Sequence, residues 1–486
     1  MRARSFVLIL CLGFSTAAAH AQLSTESVTL RSFDGRSVHA ELGHLSVPSS
    51  HSSPGKKFEI AYYRLPSEHP GNEVPIVFLM GGPGVSATFI AQVPPYFDLF
   101  SRLSKLAPVI LLDQRGTGLS RPKVDCPAGF KPPADLFTTP RTLLDTYASS
   151  YAACAKYWSL HDVSPDDFAI EEIADDIEDL RSGLGVPKVD LLALSFGTRI
   201  ALEVVRRHPQ SVRRMVLQGT VTPDGLVRLP SQMDDFFLRT AEEARSQAAA
   251  KGLDADLVST FRKVKEELQQ KPMAVRIKTQ AGEDLTVTLG PDSIATLVAT
   301  RTTDTRLPAL LTSLAHGDSS VVALILQSVY QDLEGGAGSM MAHSVSCTAT
   351  DSTRRLEIAK TQSSKSVVGE PFDNAMVADD FCRKIHVTRR SKSTPAPAGE
   401  MPALFINGNL DDRTPVQLAE DARKGFVHGS LIVVSNGCHE LLPEEAVQKI
   451  VADFLAGKNE PGATFSLPRR EFATIAEAAN PPKRPR

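Results

Sequence analysis

The segment LLALSFG, residues 191–197, constrains this chain more than any other. A short apolar run ends at Leu194 and a stretch with helical character begins at Phe196, so Ser195 falls where a strand runs into a helix. A serine at such a corner is lifted out of the fold on a sharp turn, and the crowding there demands small residues two positions before and after it. Ala193 and Gly197 meet that demand, Ala193 with one methyl more than the usual glycine. The expected local structure is a nucleophile elbow.

The flanking segments hold further parts of a hydrolytic site. PIVFLMGGPG, residues 75–84, is an apolar strand ending in a glycine-rich turn. A tetrahedral oxyanion needs backbone amides with no side chain in the way; Gly82 is favoured over Gly81 as one donor, and the amide of Phe196 is the second. APVILLDQRGTGLS, residues 107–120, is another buried strand running into a turn. Its glycines form half of a phosphate loop, but no Gly-Lys-Ser or Gly-Lys-Thr follows, and the segment reads as architecture. Downstream, ALFINGNLDDRTP places Asp411 after a strand and SLIVVSNGCHELL places His439 after the next. In this order the imidazole takes the serine proton while the carboxylate fixes its tautomer. Asp412, next door, and Asp224, after the strand near Val216, stand as alternative acids. Among twelve histidines, His439 alone follows a late apolar strand and precedes a helix, whereas His208 closes a helix after Arg206 and Arg207.

With GGPG, DQRGTGLS, SFGTRIALEVVRRHP, GNLDDRTP and NGCH in view, the chain resembles the α/β-hydrolase peptidases of the proline iminopeptidase and tripeptidyl aminopeptidase type. The resemblance runs from about residue 58 to residue 457, and SFGT is closer to the tripeptidyl branch. It implies an α/β-hydrolase fold, with Ser195 as nucleophile, Asp411 as acid, His439 as base, and Gly82 with Phe196 as oxyanion donors. Met80 departs from the pattern, since many iminopeptidases have His before the glycines. Helped by the same resemblance, Cys126 is paired with Cys154 and Cys347 with Cys382, leaving Cys438 free beside His439 as a small buried filler. SVSCTATDS, around Cys347, resembles a family stretch that often carries an acid soon after the Cys. Here the first acid is Asp351, the candidate anchor for a substrate ammonium, with Glu334, Asp379 and Asp380 as fallbacks.

The N-terminus reads MRAR, then SFVLILCLGF, then AAAHAQ, which is a charged region, a short apolar core and a cleavage site after Ala21. The apolar run is too short to cross about 30 Å of hydrocarbon, so export without a membrane anchor is expected, to the periplasm or beyond. Loss of Cys11 with that signal leaves five of the six cysteines, in a compartment that permits disulfides. A net charge of −3 gives no basic surplus for nucleic acid. No CxxC or HExxH occurs, so neither metal nor cofactor is expected.

Short apolar runs alternate with helical periodicity, which implies a mostly parallel sheet flanked by helices. Residues 39–47 and 58–65 form a β-rich beginning. Residues 164–182 open on Ser164 and Pro165 and place Ile170, Ile173, Ile177 and Leu180 on one stripe, with the intervening acids expected on a solvated face. The expected division is a signal (1–21), a first core segment (22–221), a cap (222–402), a second core segment (403–460) and a tail (461–486). The cap, about 180 residues where a βα connection usually takes roughly two to six, reads as mainly helical with one hairpin at 274–289. Residues 334–339, rich in glycine, read as a surface loop. Three functions follow: an exopeptidase acting on peptides, an acyl hydrolase of the carboxylesterase kind acting on small esters, or a binding protein that keeps the fold without catalysis. The intact Ser195, Asp411 and His439 argue against the last.

Overall fold

The computed structural model describes residues 23–53, 55–68, 74–349, 353–388, 398–458 and 465–481. The signal segment therefore lies outside the described residues. So does Asp351.

Among the described residues eleven strands are formed: β1 (Leu23–Arg31), β2 (Ser37–Pro48), β3 (Lys57–Leu65), β4 (Ile76–Leu79), β5 (Val109–Leu112), β6 (Val189–Leu194), β7 (Val212–Gln218), β8 (Met273–Lys278), β9 (Asp284–Leu289), β10 (Ala403–Gly408) and β11 (Gly429–Val434). Nine make one sheet in the order β1-β2-β3-β5-β4-β6-β7-β10-β11, and β8 with β9 makes the separate hairpin. β1 to β3 and the β3–β5 pair are antiparallel; from β5 to β11 every neighbour is parallel. The parallel part is read so readily because β4, β5, β6 and β10 are buried on both faces and are near-continuous apolar runs. β1, polar and largely exposed, carries no such run and has no counterpart among the expected strands.

The chain leaves β4 toward β5 on one side and returns to β6 on the other, so the strand order reverses at β4. Loops leaving the carboxyl ends of β4 and β6 diverge there and open a crevice, the place where open α/β sheets bind ligands. The glycine turn follows β4 and Ser195 follows β6.

Between β7 and β10 lie helices Pro230–Arg245, Leu257–Gln270, Pro291–Ala299, Leu307–Ala315, Ser320–Glu334, Met340–Thr348, Thr353–Ser363 and several shorter ones, besides the hairpin. The apolar faces of the first five of these helices and of the hairpin share one core that also takes Tyr151 from helix Pro140–Ser159 and Phe472 from the C-terminal segment, whereas Met340, Met341 and Val345 join the core of the sheet with Phe168 and Ile170. That segment, expected as a tail, is thus docked where it is described: Phe472 is buried and Arg470 pairs with Glu243.

The acidic helix needs correction. The 164–182 stretch forms a 3-10 turn, Pro165–Phe168, capped by Ser164, and then helix Ile170–Gly183. Its acids are not a solvated face: Glu172, Asp175 and Asp176 are all buried. The physical reason is the DQRG segment. Arg115, fully buried, inserts a guanidinium against Asp176 at 2.6 Å and gives its remaining donors to the carbonyls of Ser49, Asp167 and Pro48. Asp175 holds Arg207 and His208 in the same way, and Glu172 holds His51. Buried carboxylates with charged partners cannot be told from solvated ones by periodicity alone.

Candidate active site

Ser195 takes φ 54° and ψ −125°, outside the regions a side chain prefers, directly between the last residue of β6 and helix Phe196–Arg207. Such strain is held by its surroundings. A Cβ on Gly197 would lie 2.0 Å from the carbonyl oxygen of Leu79, so only glycine lets the elbow helix approach β4 this closely. Gly81 has the same constraint from the other side, since a Cβ there would meet the Leu194 carbonyl at 2.7 Å and the Ser195 Cβ at 2.8 Å. Ala193, by contrast, sits within β6 in the apolar core, where a methyl fits without glycine's freedom.

The amide of Ser195 is spent on the carbonyl of Gln218 at 2.8 Å, whereas Phe196 is the first helical residue, where the helix itself offers an amide no partner. The glycine turn is braced from β5: Gln114 donates to the Met80 carbonyl at 2.7 Å, and Asp113 accepts from Thr88 N at 3.1 Å and Leu119 N at 2.8 Å. DQRG is therefore the brace of both the turn and the acidic helix.

His439 Nε2 lies 2.9 Å from Ser195 Oγ. On its other side Nδ1 faces both oxygens of Asp411, at 3.0 and 2.9 Å. Asp411 is fully buried and accepts from Arg413 N at 3.0 Å, Thr414 N at 2.9 Å and the Thr414 hydroxyl at 2.5 Å. Together with the His439 ring, these make four donors to one carboxylate and fix its plane. A neutral imidazole so placed carries its proton on Nδ1 and presents Nε2 as an acceptor to the serine hydroxyl.

The rival acids are turned elsewhere. Asp412 accepts from the Thr302 hydroxyl at 2.7 Å and Thr303 N at 3.1 Å, and Asp224 accepts from the Thr222 hydroxyl at 2.7 Å with Arg355 at 3.6 Å. The two disulfides join Cys126 to Cys154 and Cys347 to Cys382, with Cys438 free. Burial pushes the Cys438 thiol up, so it is no thiolate beside the imidazole.

Helix Met340–Thr348 lies over the glycine turn, with Ala342 Cβ 3.2 Å from where a Gly84 Cβ would stand. Arg199, one turn into the elbow helix and buried, donates to the Ala349 carbonyl at 3.0 Å and pairs with Glu203 at 3.1 Å. Two of the fallback amine anchors have partners elsewhere. Glu334 accepts from Gln280 N at 2.7 Å beside the hairpin, and Asp380 pairs with Arg383 on its own helix. Thr414, Gln218 and Arg199 were given no role by sequence reasoning, although Thr414 and Arg199 stand inside GNLDDRTP and SFGTR.

A family profile described as alpha/beta hydrolase fold matches residues 74–446. Among curated proteins the chain is similar to a putative hydrolase, YuaR, of Escherichia coli, 26% identical over 200 residues, 38% of this chain and 37% of that one. It is similar to serine protease Hip1 of Mycobacterium tuberculosis, 26% identical over 192 residues, 37% of this chain and 36% of that one. With a tripeptidyl aminopeptidase of Streptomyces coelicolor it shares 27% identity over 198 residues, 38% of this chain and 35% of that one. The matched stretch spans little more than a third of each of these relatives.

Proposed function

The chain belongs to the α/β hydrolase fold family, and from that premise we propose that it is a serine hydrolase working through an acyl-enzyme. One observation carries the reading: Ser195 Oγ, His439 and Asp411 stand in hydrogen-bonded sequence at 2.9 Å and 2.9 Å. Ser195 Oγ adds to the substrate's carbonyl carbon as His439 Nε2 takes its proton, and the carbonyl oxygen becomes an anion received by the amides of Phe196 and Gly82. His439 passes the proton to the leaving group as the bond to it breaks. Water, deprotonated by the same nitrogen, then attacks the ester on Ser195 and releases the acid.

The preferred substrate class is peptides, with short units removed from the amino end outside the cytoplasm. Relatives described as a serine protease and a tripeptidyl aminopeptidase support the first part, and two disulfides support export. A second reading, an acyl hydrolase acting on esters, draws on one observation: Glu334 and Asp380 are already engaged away from Ser195. A matched panel of free-amine peptides, N-acylated peptides and simple esters, each beside Ser195→Ala, tests both. Faster turnover of free-amine peptides supports the exopeptidase. Equal rates on the two peptide sets with faster ester cleavage replace it by the esterase.

A further inference from the structure

Beside the acid of the triad the chain gathers cationic and hydroxyl donors whose hydrogen bonds are not used up. Arg228 is 7% exposed, and its Nη1 is buried without a hydrogen-bond partner among the described residues. The residue is not free to swing away. Its Nη2 is held by Asp373, and its backbone is clasped by Asn374, which accepts from Arg228 N and donates to its carbonyl, both at 2.8 Å. Arg301 is half-buried, makes only a 3.4 Å contact to the Thr300 hydroxyl, and has no ion pair among the described residues. It directly precedes Thr302, whose hydroxyl binds Asp412. Arg413, exposed on the turn that carries Asp411, also has no ion pair among the described residues.

Tyr147 closes the group. Its ring packs on Phe372, 5.8 Å between centroids, next to the Asp373 that holds Arg228. The helices bearing them, Pro140–Ser159 and Phe372–Met376, pack on each other and on helix Pro291–Ala299, which ends just before Arg301. The Tyr147 hydroxyl makes no hydrogen bond among the described residues.

The neighbouring carboxylates do not consume these donors. Asp411 faces His439 and Thr414, Asp412 faces Thr302 and Thr303, and Asp304 is held by Arg306 at 2.8 Å. The buried Nη1 of Arg228 and the half-buried guanidinium of Arg301 keep N–H groups open to an anion, and a carboxylate, with two oxygens in one plane, can accept from both. We propose that Arg228 and Arg301, with Tyr147 and Arg413, form a subsite for a free carboxylate on the substrate. This deepens the hydrolase reading above and rests on it. The substrate class becomes acyl compounds bearing a free carboxylate, either a short peptide with its own C-terminus or one with an acidic side chain. Burial pulls the Arg228 and Arg301 guanidiniums below the ordinary arginine value, and on Arg228 the positive fields of Arg413 and Arg301 add to the pull while Asp412 and Asp411 oppose it. An incoming carboxylate relieves that strain on the cations.

The test compares four substrates with the full chain: a short neutral peptide as free acid and as C-terminal amide, and amidated peptides with a glutamyl or a glutaminyl residue. The expected result is a kcat/KM preference of about tenfold or more for at least one carboxylate over its neutral partner. Which pair shows it tells a terminal from a side-chain carboxylate. Arg301→Gln, which breaks no ion pair, should cut the preference to within about twofold, chiefly through KM. Arg228→Gln should do the same, with melting curves recorded because Asp373 then loses its partner. No preference in the wild-type chain, or one that survives both substitutions in folded protein, overturns the subsite. A neutral ester hydrolysed by wild type and not by Ser195→Ala shows the hydrolase reading intact in that case. If nothing is hydrolysed, the hydrolase reading fails, and calorimetric titration of the free-acid and amide peptides into the protein decides the subsite: saturable binding of the acid alone upholds it, and equal or absent binding rejects it.

Discussion

The side-chain amide of Gln218 donates to the main-chain carbonyl of His439 at 2.7 Å and accepts from the amide of Leu441 at 3.3 Å. Gln218 is the fully buried last residue of β7, so the sheet itself grips both sides of the histidine loop. Gln218 acts through His439 and is a positioning residue. Gln218→Met keeps volume and removes both hydrogen bonds. Misplacing a base by about 1 Å costs roughly 100-fold, so kcat should fall about 10- to 100-fold while KM moves less than about threefold. Unchanged kcat in a folded variant would remove the role.

Ser195→Ala and His439→Ala should each lower kcat by about a thousandfold or more without unfolding the chain, because only oxyanion and binding contributions remain. The acid is assigned by contrast. Asp411→Asn should lose far more activity than Asp412→Asn, whose hydrogen bonds go to Thr302 and Thr303. Steady-state rates on the best ester of the panel decide it; a larger loss for Asp412→Asn or Asp224→Asn moves the acid.

The parts legible in the sequence are those where backbone geometry dictates residue type. The elbow demands Gly197 because its backbone nearly touches Leu79, and the parallel strands demand apolar runs because both faces are covered. Asp411 and His439 could be read from strand-end position, but the choice of Asp411 over Asp412 rests on which way two adjacent carboxylates turn, a matter of Thr414 and Thr302 lying far apart in sequence. The buried acids of helix Ile170–Gly183 were hidden for a related reason. Their partners Arg115, Arg207 and His51 come from three separate segments, and helical periodicity reports only the apolar stripe.

Each disulfide ties a different part of the insertion's surroundings. Cys347–Cys382 joins helix Met340–Thr348, which lies over the glycine turn, to helix Asp379–Lys384. Cys126–Cys154 joins the segment after DQRGTGLS to helix Pro140–Ser159. Removing either should cost about 2 to 4 kcal/mol by freeing the unfolded chain. Activity should separate them. The Cys347→Ser, Cys382→Ser double variant should lose the more kcat, since Ala342 and the Gly84 turn are in contact. Urea unfolding beside kinetics measures both; equal kinetic losses would detach helix Met340–Thr348 from the site.

His51 provides a pH signature for the acidic helix. Its Nδ1 meets Glu172 at 2.6 Å and its Nε2 meets Asp179 at 3.3 Å, with Asp176 at 3.9 Å. Burial alone would lower the imidazole pKa, but the bonds to Asp179 and Glu172 and the field of Asp176 outweigh burial and the Arg115 charge and raise it to about 9. A group whose folded pKa is raised stabilises the fold fully below its unfolded value, near 6.5, and loses that contribution as pH climbs through 9. Glu172 runs the other way. Burial would raise it, yet the His51 bonds and Arg115 lower it to about 2, so its contribution holds above roughly 4.5 and fades as pH falls toward 2. Comparing wild type with His51→Gln by urea unfolding should give a stability gap that is widest near pH 6 and closes between about 6.5 and 9. A gap that stays constant across that window would mean that His51 stabilises the helix without being charged.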